Sequence, residues 1–193
     1  MVELDTCEVL VLLSGGIDSS ACLQFYCEIG RAPAALFVDY GQAAARLEAT
    51  AAQSVAAYYS VPLLSLKWSG YQAKDAGLIP GRNSFLISAA VMERPVSVSI
   101  IAIGVHSGTD YPDCTQSFLD AMQSALSVSE NHSLQVAAPF SSWTKPDIID
   151  YCRLRNIPIE LTYSCERGTE PPCGHCLSCK DRSSFLAGAS IRS

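Results

Sequence analysis

The sequence predicts an α/β fold in which one parallel five-stranded sheet is flanked by helices and followed by a cysteine-rich C-terminal segment. Three observations lead there. Short apolar runs alternate with stretches of helical spacing from residue 8 to residue 156, the order that builds a sheet covered on both faces. The first run, residues 8–13, stops at Ser14-Gly15-Gly16, a turn from strand into helix. Four of the nine cysteines fall within residues 165–179, where the alternation has ended.

Each element has its own signal. Residues 8–13 are a buried strand, and residues 19–29 a helix that carries Cys22, Leu23, Tyr26 and Ile29 at helical spacing before Gly30. Residues 34–38 are the second strand, and the Ala-rich stretch 43–59 is the second helix. Leu63–Lys67 is the third strand, followed by a loop over 68–81. Asn83 is expected to cap a helix reaching about Glu93. Residues 96–104 form a long β-branched strand, 107–112 a loop, and 113–129 a helix with Phe118, Leu119, Met122 and Leu126 on one face. Residues 134–138 are the fifth strand, and 145–155 a helix with Pro146 in its first turn. From Ile157 onward the chain reads as irregular. Residues 1–160 are therefore expected as a nucleotide-binding unit, and 161–193 as a metal-binding segment packed on it.

Composition excludes several function classes. With 49% hydrophobic and 17% charged residues, the 193-residue chain is globular rather than disordered. Its net charge of −6, without any Lys/Arg run, argues against nucleic acid as a partner. The longest apolar stretches, 9–13 and 96–105, are strand-sized and too short to span a membrane. The N-terminus is acidic where a secretory signal is basic, so a soluble, cytoplasmic protein is expected. Nine cysteines, an odd number, argue in that setting against a disulfide framework.

In a parallel sheet, ligands sit beyond the C-terminal ends of the strands. Ser14-Gly15-Gly16-Ile17-Asp18-Ser19-Ser20 occupies the first such position. Two glycines bring bare backbone close to a ligand, the serines add hydroxyls, and the next helix directs its N-terminal N–H groups at the same point. This is a phosphate cradle. A carboxylate at Asp18 suits Mg²⁺ on a pyrophosphate. The plainer alternative is an ordinary turn with Asp18 or Ser19 as N-cap. At the other end, Cys165, Cys173, Cys176 and Cys179 have the Cys-X-X-Cys spacing of a closed tetrahedral Zn²⁺ site. A redox pair, an iron–sulfur cluster, free thiols and a His175 ligand remain open alternatives.

The Ser-Gly-Gly-X-Asp-Ser segment resembles the signature of the PP-loop ATP pyrophosphatases, whose fold is Rossmann-like. Further motifs follow: Asp39-Tyr40-Gly41-Gln42, Pro80-Gly81-Arg82-Asn83, Tyr111-Pro112-Asp113-Cys114 and Trp143-Thr144-Lys145. In this order, from Val9 to Arg182, they resemble the 7-cyano-7-deazaguanine synthase family of queuosine biosynthesis. The resemblance implies a ligase using ATP and Mg²⁺ that adenylates 7-carboxy-7-deazaguanine and, with ammonia, forms the nitrile by way of an amide. It implies one zinc and a homodimer. It places Ser14, Gly15, Gly16, Asp18, Ser19, Ser20, Asp39, Tyr40, Gly41 and Gln42 at ATP, and Arg82, Asn83 and Asp113 at the substrate or nucleotide. Asp18, Lys145 and Arg82 become the catalytic candidates, and the four cysteines the zinc ligands.

The sequence departs from the family pattern in several places. Only residues 68–79 fill a gap where the family carries a longer insertion over the substrate, and the 105–111 loop is also short. Ala43, Ala44 and Ala45 stand where basic residues are usual, and Thr115 where arginine is usual. Less positive charge and a shortened lid raise a second expectation: an activated acid handed to another acceptor, such as a protein amine.

Overall fold

The computed structural model describes residues 4–70, 79–109, 111–130 and 133–187. Within these, the strands are β1 (Val9–Leu12), β2 (Pro33–Asp39), β3 (Leu63–Lys67), β4 (Ile100–Ala102) and β5 (Gln135–Ala137). The helices are α1 (Ile17–Glu28), α2 (Ala45–Tyr58), α3 (Arg82–Glu93), α4 (Gln116–Ser129), α5 (Lys145–Leu154) and α6 (Leu177–Ala187). The strands form one sheet in the order β3-β2-β1-β4-β5, and every pairing is parallel. The predicted class is therefore the observed one.

β1 lies at the centre and is wholly buried. Its side chains alternate between the two faces, as a period of two requires. Val9, Val11 and Leu13 join Leu23, Val55 and Ile148 beneath α1, α2 and α5. Leu10 and Leu12 join Ile87, Leu119 and Leu126 beneath α3 and α4. Burial on both faces is why β1 reads as an unbroken apolar run.

Five local expectations are corrected. α1 starts at Ile17, with Gly16 as its uncapped N-cap residue, so Asp18 and Ser19 sit in the first turn and neither is the cap. Asn83 does not cap α3; Gly81, at φ 74°, precedes the helix, and Asn83 turns inward, only 2% exposed. β4 is three residues long, because a turn closed by Val98 N–H on Pro95 O, at 3.0 Å, takes up the start of the predicted strand. α4 starts at Gln116 behind a 3₁₀ turn over Pro112–Cys114, and Thr115 caps it by accepting from Phe118 N–H at 3.2 Å. The C-terminal segment, read as irregular, contains α6. Residues 71–78 of the predicted 68–81 loop, and with them most of the shortened lid, lie outside the described residues. No helix among the described residues is long and apolar enough to cross a membrane.

Candidate active site

β1 continues into β2 on one side and is flanked by β4 on the other, so a crevice opens over the strand ends where the chain order switches. It is a cleft of about 600 Å³, lined by residues following β1, β2 and β4 and by the C-terminal segment.

The Ser14–Ser20 loop forms its floor. Gly15 has a φ of 78°, and a Cβ there would lie 2.7 Å from backbone atoms of Glu48 and Ala52 in α2, so glycine is required for both conformation and space. The Ser19 and Ser20 hydroxyls donate to Gly16 O at 3.0 and 2.8 Å, and Ser14 Oγ lies 3.1 Å from Ser19 Oγ. The first N–H groups of α1 have no partner within the helix, and Ile17, Asp18 and Ser19 of that first turn, at the positive end of its dipole, line the cleft.

Asp18, in that first turn, receives the Lys145 ammonium on both oxygens, at 2.6 and 2.8 Å. Lys145 is the first residue of α5. A capping box fixes it there: Thr144 and Asp147 exchange hydrogen bonds, and these bonds hold the Asp147 carboxyl below its usual range. Asp181 of α6 lies 3.7 Å from the same ammonium. Two carboxylates thus share one cation.

His106 follows β4 and is 5% exposed. Its Nδ1 accepts the Gly108 N–H at 3.0 Å, so the neutral ring carries its proton on Nε2, which faces Asp18 at 3.8 Å. Burial lowers its pKa, with Asp18 and Asp181 opposing and Lys145 adding to the effect. The ring is therefore neutral at neutral pH.

Gly104 lets β4 meet α1. A Cβ on it would lie 2.7 Å from Asp18 O and 3.1 Å from Ser19 Cα. Gly104→Ala is expected to cost about 1–3 kcal/mol in stability by overpacking. It also shifts Asp18, with a loss of about 10²-fold in kcat. A thermal melt and an ATP-turnover assay on the same sample check both.

The far end of the cleft is built by the β2–α2 loop and the start of α3. Asp39 accepts from Gly41 N–H at 3.0 Å, and Gln42 Oε1 accepts from Tyr40 N–H at 2.9 Å. The Gln42 amide donates to Val38 O and to Glu48 Oε2, at 3.2 and 2.9 Å. Arg82 Nε donates to Asn83 Oδ1 at 3.2 Å, and Asn83 Nδ2 donates to Asp113 O at 2.9 Å. Cys114 sits beside them, and burial raises its thiol pKa, the setting of an inert thiol rather than a nucleophile.

Of the residues predicted for ATP, substrate or catalysis, Ser14, Gly16, Asp18, Ser19, Tyr40, Gln42, Arg82, Asn83 and Lys145 line the cleft. Gly15, Ser20, Asp39, Gly41 and Asp113 are outside its lining and shape the wall behind it. Sequence reasoning missed His106, Glu48, Tyr163, Glu166 and Asp181, which also line it. His106 had a usable signal, its place just past a strand end. Asp181 had another: Cys176 and Cys179 are one helical turn apart, and no Gly or Pro interrupts 177–186.

The four cysteine sulfurs lie within 4.8 Å of one another, with Cys173 Sγ and Cys179 Sγ 3.9 Å apart. A tetrahedron of thiolates around Zn²⁺ has edges of about 3.8 Å, so the set fits one ion. An iron–sulfur cluster spreads its thiolates over separate irons, and this group is too tight for that. Burial opposes ionisation of Cys165, yet hydrogen bonds from Cys173, Thr169 and Arg167 bring it down to about 5. Cys179 is pushed up to about 12 by burial and by the neighbouring thiols. Four such groups cannot all ionise without a cation. Zn²⁺ is the metal the donor set suits.

This segment is fastened to the cleft. Tyr163 N–H donates to Gly15 O at 2.9 Å. Arg182 donates to Thr162 Oγ1 and Ile159 O, at 2.6 and 2.9 Å. Gly168 packs on the backbone of Ala43 and Ala44, and Ala44 is 2% exposed. A long basic side chain at 44 has no room, and Thr115 is a helix cap. Ala44 and Thr115 thus have local structural reasons, which Ala43, exposed, and Ala45, half-buried, do not share.

A family model described as queuosine biosynthesis protein QueC matches residues 8–76 and 69–189. The chain belongs to this family. The 7-cyano-7-deazaguanine synthase of Aquifex aeolicus (strain VF5) is 32% identical over 211 residues, covering 93% of this chain and 96% of that one. The 7-cyano-7-deazaguanine synthase of Synechococcus sp. (strain CC9605) is 30% identical over 209 residues, covering 93% and 92%. A solved structure, the U34-tRNA thiolase NcsA from Methanococcus maripaludis with its [4Fe-4S] cluster, has a TM-score of 0.54 at 14% identity. That match covers 97% of this chain and 66% of the thiolase, and is a likeness of fold alone. As a QueC-type protein the chain is an enzyme, an ATP-dependent ligase.

Proposed function

We propose that the protein activates 7-carboxy-7-deazaguanine with ATP and, with ammonia, converts it through an amide to 7-cyano-7-deazaguanine. The observation that carries this reading is the Asp18–Lys145–Asp181 charge cluster at the N-terminus of α1, within a chain of the QueC family. A carboxylate does not react with ammonia until one of its oxygens becomes a leaving group. Attack of that oxygen on the α-phosphorus of ATP expels pyrophosphate. Ammonia then takes the acyl carbon, and AMP departs with the oxygen. The amide oxygen is removed by a second ATP in the same way, and loss of the nitrogen's protons leaves the nitrile.

Such steps need placement and neutralised charge more than a nucleophilic side chain. The α1 N–H groups, Ser14 and Ser19 hold phosphate oxygens. Lys145 turns from Asp18 to the phosphate charge. Asp18 and Asp181, freed of their shared ammonium, would be the residues to hold Mg²⁺, a hard cation that takes carboxylate, phosphate and water oxygens. Mg²⁺, when bound, draws charge from the leaving pyrophosphate. The His106 Nε2–H keeps Asp18 oriented. Arg82, positioned by the buried Asn83, holds the acid, and Zn²⁺ in the four-cysteine site would be structural.

The homodimer belongs to the same proposal. Met92, Val96 and Val128 are exposed, each two residues along the chain from Arg94 or Glu130, which pair with one another, and a second copy would cover such apolar side chains. Light scattering is expected to give twice the chain mass. Delivery to a protein amine is the weaker reading, because Ala44 and Thr115 have structural reasons of their own.

Incubation with ATP, Mg²⁺, the acid and ammonium, followed by mass spectrometry, is expected to yield the nitrile. Activated acid that appears only on protein amines would favour the second reading. An untouched acid would refute the substrate.

A further inference from the structure

We propose that Glu48 reads the heterocycle of the substrate, its carboxylate accepting the two adjacent N–H donors on the amide–amine edge of a 7-deazaguanine. This rests on the substrate reading above and assigns the specificity of that same site. Four carboxylates line the cleft among the described residues: Asp18, Glu48, Glu166 and Asp181. Three are engaged. Asp18 and Asp181 share Lys145, and Glu166 accepts from Ser178 N–H and Oγ–H at 3.2 and 2.8 Å. Glu48 is different. Like Glu166, it is ion-paired with no Lys or Arg among the described residues, but it accepts one hydrogen bond, from the Gln42 side-chain amide on Oε2, where Glu166 accepts two.

Its surroundings make that incomplete set costly. Burial raises the Glu48 pKa, Gln42 and the more distant Arg82 oppose this, and Asp39 adds to it. A desolvated carboxylate with one amide donor is stabilised by any ligand that brings further donors. The group is also held still. Its helical turn packs on Gly15, and Gln42, anchored on Val38 O, fixes one oxygen. Fixed acceptors of this kind select by geometry.

The chemistry of the two ligands decides which one Glu48 serves. A guanine-type ring presents a ring N–H beside an exocyclic NH₂, two parallel donors that match a carboxylate as a guanidinium does. The adenine of ATP places a bare acceptor nitrogen beside its amine, and a carboxylate there meets a lone pair. Glu48 therefore favours the deazaguanine and disfavours adenine at this position, which keeps two planar heterocycles apart in one cleft. Tyr40 and Tyr111 line the same cleft and supply aromatic faces.

Calorimetric binding to the wild type and to Glu48→Gln tests this, with three probes: 7-carboxy-7-deazaguanine, its analogue lacking the 2-amino group, and a non-hydrolysable ATP analogue. The near-isosteric variant is expected to fold, and a thermal melt checks it. The variant should bind the acid about 100-fold more weakly, bind the ATP analogue within about 2-fold of wild type, and bind the des-amino acid with little of that loss. An acid affinity equal to wild type overturns the inference. So does an equal loss for the ATP analogue, which places Glu48 at the nucleotide. If the wild type itself ignores the acid, the substrate reading falls too; wild-type binding with no loss in the variant removes only the role of Glu48.

Discussion

Replacing Asp18 with Ala is expected to reduce kcat by about 10²–10³-fold, the loss seen when one group aimed at transition-state charge is removed, while the protein stays folded. Asp18 takes part in no core packing; it lies in the first turn of α1 and is half-buried. Its partner Lys145 keeps Asp181 at 3.7 Å in the variant, so no ammonium is left without a counter-charge. What is lost is the carboxylate between the phosphate cradle and the ammonium. Acid-dependent release of pyrophosphate measures it. Turnover equal to wild type, with an unchanged melt, would remove Asp18 from the mechanism.

Stripping the metal, or replacing Cys165 with Ser, is expected to lower the melting temperature by about 10 °C. Loss of a structural metal belongs with the few changes that cost more than about 4 kcal/mol, and 1 kcal/mol moves a chain of this size by about 2–4 °C. The effect extends beyond stability. The cysteine segment supplies Tyr163, whose N–H bonds Gly15 O at 2.9 Å, and Asp181, which faces Lys145. Without the ion, four crowded thiols lose their cation, and the wall they anchor leaves the phosphate cradle. Nucleotide affinity should fall with the melting temperature and return on adding Zn²⁺. Metal analysis is expected to find about one ion per chain. A metal-free protein with unchanged melt and unchanged nucleotide affinity would contradict this account.

The sequence made the sheet legible because buried parallel strands are short apolar runs ending at glycines, as at Leu13 before Gly15 and Gly16. It made the glycine–serine loop in the cleft and the four-cysteine cluster legible because each is local in sequence. It misled where local preference met tertiary context. Residues 96–99 have β-branched strand character, yet a turn at Pro95 and the alignment with β1 leave only Ile100–Ala102 to pair. Asn83 is a good cap residue that the fold instead spends on holding Asp113 and Cys114.

The site's remaining residues were hidden for a different reason. Glu48 sits in an Ala-rich helix and reads as an ordinary solvated charge until the fold lays α2 against the phosphate loop. His106 and Asp181 converge on Asp18 from positions far apart in the chain, and no spacing rule links them. α6 was obscured by the cysteines themselves, whose metal spacing drew the reading away from a plain helical turn.

Oxygen transfer tests the central claim most directly. 7-Carboxy-7-deazaguanine carrying ¹⁸O in its carboxyl group would be turned over with ATP, Mg²⁺ and ammonium, and the AMP and pyrophosphate weighed by mass spectrometry. If the carboxylate is adenylated, each AMP carries one ¹⁸O and the pyrophosphate carries none. Label found in pyrophosphate or inorganic phosphate, or retained in the acid while ATP is consumed, would contradict adenylation at this site.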